Sequence, residues 1–230
     1  MIQKTLKTTT GKLAVSIPTT LAEVTLGQMM ALQQNPNLGD MEAISILSCI
    51  PVEQLQNVQS MDDFAIFGEA VLSLSHQIKH LYDSDAIPKK ITFSNGKMVN
   101  VTSNLSVEPA GAFMAARDII GDEIGGHIKL YGDEEWQQNF NPSLKACCQV
   151  LAHYFYCRGT GKPYNEYEAE EFATEIKKLR VSEALPIAKH FFTCYPSLSK
   201  PRTGFFRRLL QRLNERLAYR RSRSLNTSTP

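Results

Sequence analysis

The sequence predicts a mainly α-helical fold with a small β element. Three observations carry this. Apolar residues recur three and four positions apart through most of the span from Leu21 to Tyr195, the spacing of an amphipathic helix. Lys12–Ile17 alternates in polarity and is closed by Pro18, which reads as an N-terminal strand. Ser94-Asn95-Gly96 separates two short β-prone runs, Lys90–Phe93 and Lys97–Thr102, and Asn-Gly is the strongest short hairpin signal.

In chain order, Thr20-Leu21-Ala22-Glu23 reads as a capping box that opens a helix through Val24, Gln28, Met29 and Leu32. Asn35–Gly39 is a loop, Met41–Ile50 a short apolar helix, and Pro51 the start of a further one carrying Val52, Leu55 and Val58. Ser60-Met61-Asp62-Asp63 reads as a second capping box, ahead of a helix through Phe64, Phe67, Val71, Leu74 and Ile78. The β-hairpin near 91–102 follows, with a two-residue type I′ turn that needs positive φ at both Asn95 and Gly96. A helix beginning within Asn104–Ala110 runs to about Ile120, and Gly121–Asn141, with four glycines, five acids and the single Trp136, reads as a loop with one helical turn. Pro142-Ser143 starts an apolar helix to about Cys157, and Arg158–Asn165 is a turn. Helices are then expected over Tyr167–Lys178, Ser182–Tyr195 and Gly204 to about Arg221, before a disordered polar tail.

The organisation is a strand-plus-helices module over 1–88, a hairpin-plus-helices module over 89–199, and a basic amphipathic helix with its tail over 200–230. Leu21, Gly27, Met30 and Ala31 match Leu105, Gly111, Met114 and Ala115 at an offset of 84, and Val58–Ile66 resembles Leu179–Ile187 at an offset of 121. A degenerate internal duplication is one reading of these matches, and chance likeness between helices is the other.

With 230 residues, 43% of them hydrophobic, and a mean hydropathy of −0.23, the chain is neither disordered, collagen-like nor a disulfide scaffold. No run approaches the ~18 apolar residues of a membrane span. The first residues form no apolar leader, and five cysteines, with Cys147 and Cys148 adjacent, fit reduced thiols. The expected setting is a cytosol. The net charge of +2 is unevenly placed: from Lys200 onward there are nine Lys/Arg and one acid, Glu215, so this segment is +8 and the preceding 199 residues −6. Such a segment suits an acidic surface, a nucleic acid or a lipid.

Local motifs argue against catalysis. RGTGKP lacks the first P-loop glycine, and Pro163 stands where the magnesium-binding hydroxyl belongs. His76 and His80 have zincin spacing, but Gln77 replaces the general-base Glu. His153/Cys157 and His190/Cys194 have zinc-ligand spacing but sit in apolar, aromatic stretches, where cysteine behaves as a small core residue. The acidic groups Asp122-Glu123, Asp133–Glu135 and Glu168-Glu170-Glu171 read as solvated faces. No catalytic residue, cofactor or metal site is expected. The strongest binding candidate is the last helix. Phe206, Leu209, Leu210, Leu213 and Leu217 form one apolar stripe, with Arg207, Arg208, Arg212, Arg216 and Arg220 around it, suited to docking on the acidic body of this chain, in a partner's groove, on a membrane surface or on phosphates.

The segment L-A-E-V-T-L-G-Q-M-M-A-L-Q (Leu21–Gln33), after a strand ending in Ile-Pro, resembles the opening of tail assembly chaperone-like proteins of tailed phages. F-S-N-G-K (Phe93–Lys97), N-L-S-V-E-P-A-G-A-F-M (Asn104–Met114), L-A-H-Y-F (Leu151–Phe155), G-K-P-Y-N (Gly161–Asn165) and L-R-V-S-E-A-L-P-I-A-K-H-F-F (Leu179–Phe192) extend the resemblance over roughly 12–192. Pro109, Ala112 and the basic segment after Lys200 depart from it.

The resemblance implies a non-enzymatic assembly factor in the host cytoplasm that keeps a tape-measure protein in solution while the tail tube assembles. Met29, Met30, Met41, Phe64 and Phe67 would supply its apolar binding faces. Two other readings stand beside it. One is a structural virion component of tail, neck or connector that forms homo-oligomers. The other is a nucleic-acid-binding protein acting through the basic helix.

Overall fold

The structure is a computed structural model, and it describes residues 1–35, 37–59, 62–78, 80–81, 86–101, 108–136 and 140–194. The fold is mainly α with a small β element, in two antiparallel hairpins.

The first hairpin pairs β1 (Ile2–Thr8) with β2 (Gly11–Ile17), in a register running from Ile2↔Ile17 to Thr8↔Gly11. Lys12–Ile17 is the expected strand; its partner β1 was not foreseen. Thr9-Thr10 has no hairpin signature, and neither threonine takes the positive φ that Asn-Gly would supply. What holds the pair is one apolar face, on which Leu6, Val15 and Ile17 are buried.

The expected capping box at Thr20 is displaced. Leu21–Glu23 is a single 3₁₀ turn with no side-chain cap from Thr20. Helix α1 (Leu26–Gln34) starts later, and its box is Thr25 with Gln28: Thr25 Oγ1 accepts from Gln28 N–H, and Gln28 Oε1 from Thr25 N–H. Glu23 is engaged elsewhere, by the Met1 amino group at 2.7 Å and the Thr19 N–H at 2.9 Å. Helices α2 (Asp40–Ser48), α3 (Val52–Leu55) and α4 (Asp62–Ile78) fall where periodicity and Pro51 placed them. Of the second expected capping box, Ser60 and Met61 lie outside the described residues.

The second hairpin, β3 (Lys90–Thr92) with β4 (Met98–Asn100), is where the sequence placed it, but its turn differs from type I′. Gly96 N–H donates to the Phe93 carbonyl at 2.9 Å, and only Gly96, with φ 78, is left-handed. A type I turn followed by a glycine bulge needs one positive φ rather than two. Asn95 contributes differently, its Oδ1 accepting from Lys97 N–H at 2.9 Å.

Helix α5 (Ala110–Glu135) overturns the loop expected from Gly121 onward. The stripe Ala112, Ala116, Ile120 and Ile124 is buried at a repeat of four residues, and burial of that face against α6 outweighs the glycines' poor propensity. The helix breaks at Gly132 (φ 81) instead. Helix α6 (Leu144–Thr160), capped by Ser143 and ended by left-handed Gly161, lies at the centre. It is buried nearly all round and packs on α5, α1, α7 (Glu166–Glu171), α8 (Ala173–Ile176) and α9 (Val181–Cys194). One helix was expected over Tyr167–Lys178; Phe172 divides it, and its ring packs on Phe93 and Tyr156, with centroids 5.3 and 6.0 Å away.

Residues Met1–Cys194 form one compact unit, and the rest of the chain, Tyr195–Pro230, is a second unit outside the described residues. Within the first, the segments on either side of residue 88 pack together. Leu26 N–H donates to the Leu179 carbonyl and Gly27 N–H to that of Lys177, both at 2.8 Å, while Val181 N–H donates to Val24. The 121-residue offset also has a structural counterpart: α3 and α8 are four-residue helices 121 positions apart, each ending in a fully buried residue, Leu55 and Ile176.

Candidate functional site

The residues nominated in the basic helix (Phe206, Arg207, Arg208, Leu209, Leu210, Arg212, Leu213, Arg216, Leu217 and Arg220) lie outside the described residues. Of the apolar binding faces expected on the body, Met29, Phe64 and Phe67 are core side chains and present nothing to a partner. Their spacing is that of a buried stripe, which periodicity alone cannot tell from an exposed one. Met30 and Met41 are half-buried.

The motifs behind the family resemblance turn out to be joints. In Thr25-Leu26-Gly27-Gln28, Thr25 caps α1 and Leu26 is buried. Gly27 lets the Lys177 carbonyl approach, since a Cβ there would lie 3.1 Å from that oxygen. Gln28 reaches across to α2, its Nε2 donating to the Leu47 carbonyl at 2.9 Å. In Gly161–Asn165, Gly161 ends α6, Lys162 pairs with Glu168 at 2.9 Å, and Asn165 caps α7. Tyr164 lies against Gly111, where a Cβ would come within 2.7 Å of its ring. Its hydroxyl is 3.0 Å from His153 Nδ1.

A cavity of about 400 Å³ opens where α1 meets α6, α7 and α8. Cys148, Ala152 and His153 come from one face of α6, with Met30 and Ala173 beside them, and Gln34, Lys145, Gln149, Glu170 and Lys177 stand around it. His153 is buried, only 4% exposed. Burial pushes its pKa below the usual histidine value, against the pull of Glu170 and Glu166, so the ring is neutral at pH 7. Burial likewise raises the Cys148 thiol to about 11 and the Tyr164 phenol to about 12, which makes both poor nucleophiles or bases at neutral pH. Sequence spacing could have flagged the α6 face, because residues 145, 148, 149, 152 and 153 repeat at three and four, but not the walls from α1, α7 and α8.

Of the two His/Cys pairs, the side chains of His153, Cys157 and His190 are among the described residues. His153 is turned to Tyr164, His190 lies against Phe191 with centroids 6.1 Å apart, and the Cys194 side chain is outside the described residues. Among the described residues no group of three or more His, Cys, Asp or Glu could hold a metal ion, and no helix is long and apolar enough to cross a membrane. No protein-family model matches this chain, and neither does any curated protein or solved structure.

Proposed function

We propose that this chain is a non-enzymatic assembly factor of a tailed phage, similar to the tail assembly chaperones, that binds a tape-measure or other tail protein through apolar side chains on helices. The observation that carries this reading is at the far end of α5. Leu130 is 77% exposed and Tyr131 beside it 45%, with the Tyr131 ring stacked on His127. Scattered exposed apolar residues are ordinary, but adjacent large ones held in place by a stack suit a contact that forms and releases. Tyr167 on α7 and Leu72 on α4 are similarly open. Two or three such anchors fit the modest affinity that a chaperone needs.

The test is co-expression with the product of the neighbouring tape-measure gene. The tape measure should become more soluble and co-purify, and Leu130→Asp with Tyr131→Asp should remove both effects without lowering the melting temperature. No interaction and no gain in solubility would overturn the reading. Mass spectrometry of finished virions adds a second discrimination: an assembly factor is absent, whereas a structural component is retained. The nine Lys/Arg from Lys200 onward favour a nucleic-acid reading as the runner-up. That reading requires binding that weakens steeply with salt and is lost on truncation at Lys200.

A further inference from the structure

We propose that the cavity between α1, α6, α7 and α8 is a binding site for a ligand carrying a single carboxylate, held by the ring nitrogen Nε2 of His153 and by Lys145 and Lys177. The inference stands apart from the assembly reading and does not need it.

The cavity gathers polar groups that the fold itself does not use. His153 is almost fully buried, and Tyr164 occupies only its Nδ1; among the described residues no hydrogen bond reaches Nε2. Nor do Gln34, Lys145, Gln149, Glu170 or Lys177 make a side-chain hydrogen bond or ion pair among the described residues. With Nδ1 taken by Tyr164, Nε2 is the ring nitrogen left for the cavity that His153 lines, on a side chain otherwise almost fully buried.

The donor set defines the chemistry of the occupant. When the Tyr164 hydroxyl donates to Nδ1, the neutral imidazole carries its proton on Nε2 and presents a donor to the cavity. Two ammonium groups and two carboxamides offer further donors, whereas Glu170 is the one carboxylate. Two lysines against one glutamate leave a single positive charge, which matches a monoanion. Met30, Cys148, Ala152 and Ala173 provide apolar wall for a short hydrocarbon portion. The volume, at the small end of ligand pockets, suits a group the size of one amino-acid residue with its carboxylate.

The full chain, labelled with ¹⁵N in its histidine rings, should be titrated with N-acetyl-leucine and with N-acetyl-leucinamide, which differs only in lacking the carboxylate. The acid should produce a saturable shift of the His153 ring resonances, with the amide at least tenfold weaker. Lys145→Gln with Lys177→Gln changes two exposed side chains and leaves the core intact; it should weaken the acid at least tenfold with an unchanged melting temperature. An acetylated pentapeptide ending in leucine identifies the source of the group. Tenfold tighter binding than the single residue assigns it to a polypeptide terminus, and equal binding to a small free acid. No saturable shift with the acid at millimolar concentration, equal binding of acid and amide, or full binding by the double lysine variant would overturn the site.

Discussion

Glycines in this chain serve opposite purposes according to what stands where their Cβ would be. Gly159 lies inside α6 against an aromatic cluster, and a Cβ would come within 2.5 Å of Phe172 Cζ and 3.2 Å of Phe93 Cε2. Gly125 lies inside α5 with nothing within 4 Å. Gly159→Ala should therefore lose about 1–3 kcal/mol to overpacking, a cost larger than the helical gain. Gly125→Ala should gain up to about 1 kcal/mol from propensity alone. Thermal or urea unfolding of the two variants, side by side, checks both signs. The buried imidazole at 153 gives a prediction in pH. Its folded pKa is depressed, so the unfolded chain binds the proton more readily, and the resulting stability is fully present above about 6.5, the unfolded value. It is lost as pH falls below that, toward the lower folded pKa. Melting temperature should decline from pH 7 to pH 5, and His153→Gln should flatten this decline relative to wild type.

Between elements, single contacts tie the second hairpin to the central helix. Arg158, near the end of α6, donates to the Asn100 carbonyl at 3.1 Å, pairs with the buried Glu108 carboxylate ahead of α5, and lies 5.2 Å from the Tyr154 ring centre. Burial holds the Glu108 pKa above its usual value against the pull of the arginine. Arg158→Met strands that carboxylate and should cost about 3 kcal/mol; the double variant with Glu108→Gln should recover a large part of it. At the turn, Gly96→Val should cost about 1–2 kcal/mol for one left-handed residue, whereas Asn95→Ala loses only the bond to Lys97, about 1 kcal/mol. Equal losses at both positions would indicate a turn with two positive φ values.

These elements also show what a sequence exposes to reading. Caps, prolines and apolar spacing act within a turn or two of chain, so α2, α4, α6 and the Asn-Gly hairpin were legible. The strand β1 and the far half of α5 were not, because their stability comes from partners remote in sequence: β2 across a loop without a signature, and α6 beneath a glycine-rich helix. The cavity was invisible for the same reason, its walls coming from residues 30–34, 145–153 and 170–177.

For the whole molecule, the seam between residues 24–27 and 177–181 decides what can stand alone. Residues 1–88 include a hairpin and four helices, yet α1 rests on α6 and α9. A fragment of residues 1–88 should fail to unfold cooperatively, and adding residues 89–194 as a separate chain should restore a sharp transition. A cooperative transition for the fragment alone would mean that the hairpin and α2–α4 suffice for its core.

The same seam sets a clock on synthesis. The Leu179 carbonyl that accepts from Leu26 is made 153 residues after it. At about 5–20 residues per second, the nascent chain waits roughly 8–30 s with the first turn of α1 unsatisfied. During that interval Leu26 and Met29 have no second half to cover them. The seam can close only once residue 181 has been added, because Val181 N–H is the last of the three seam bonds to become available.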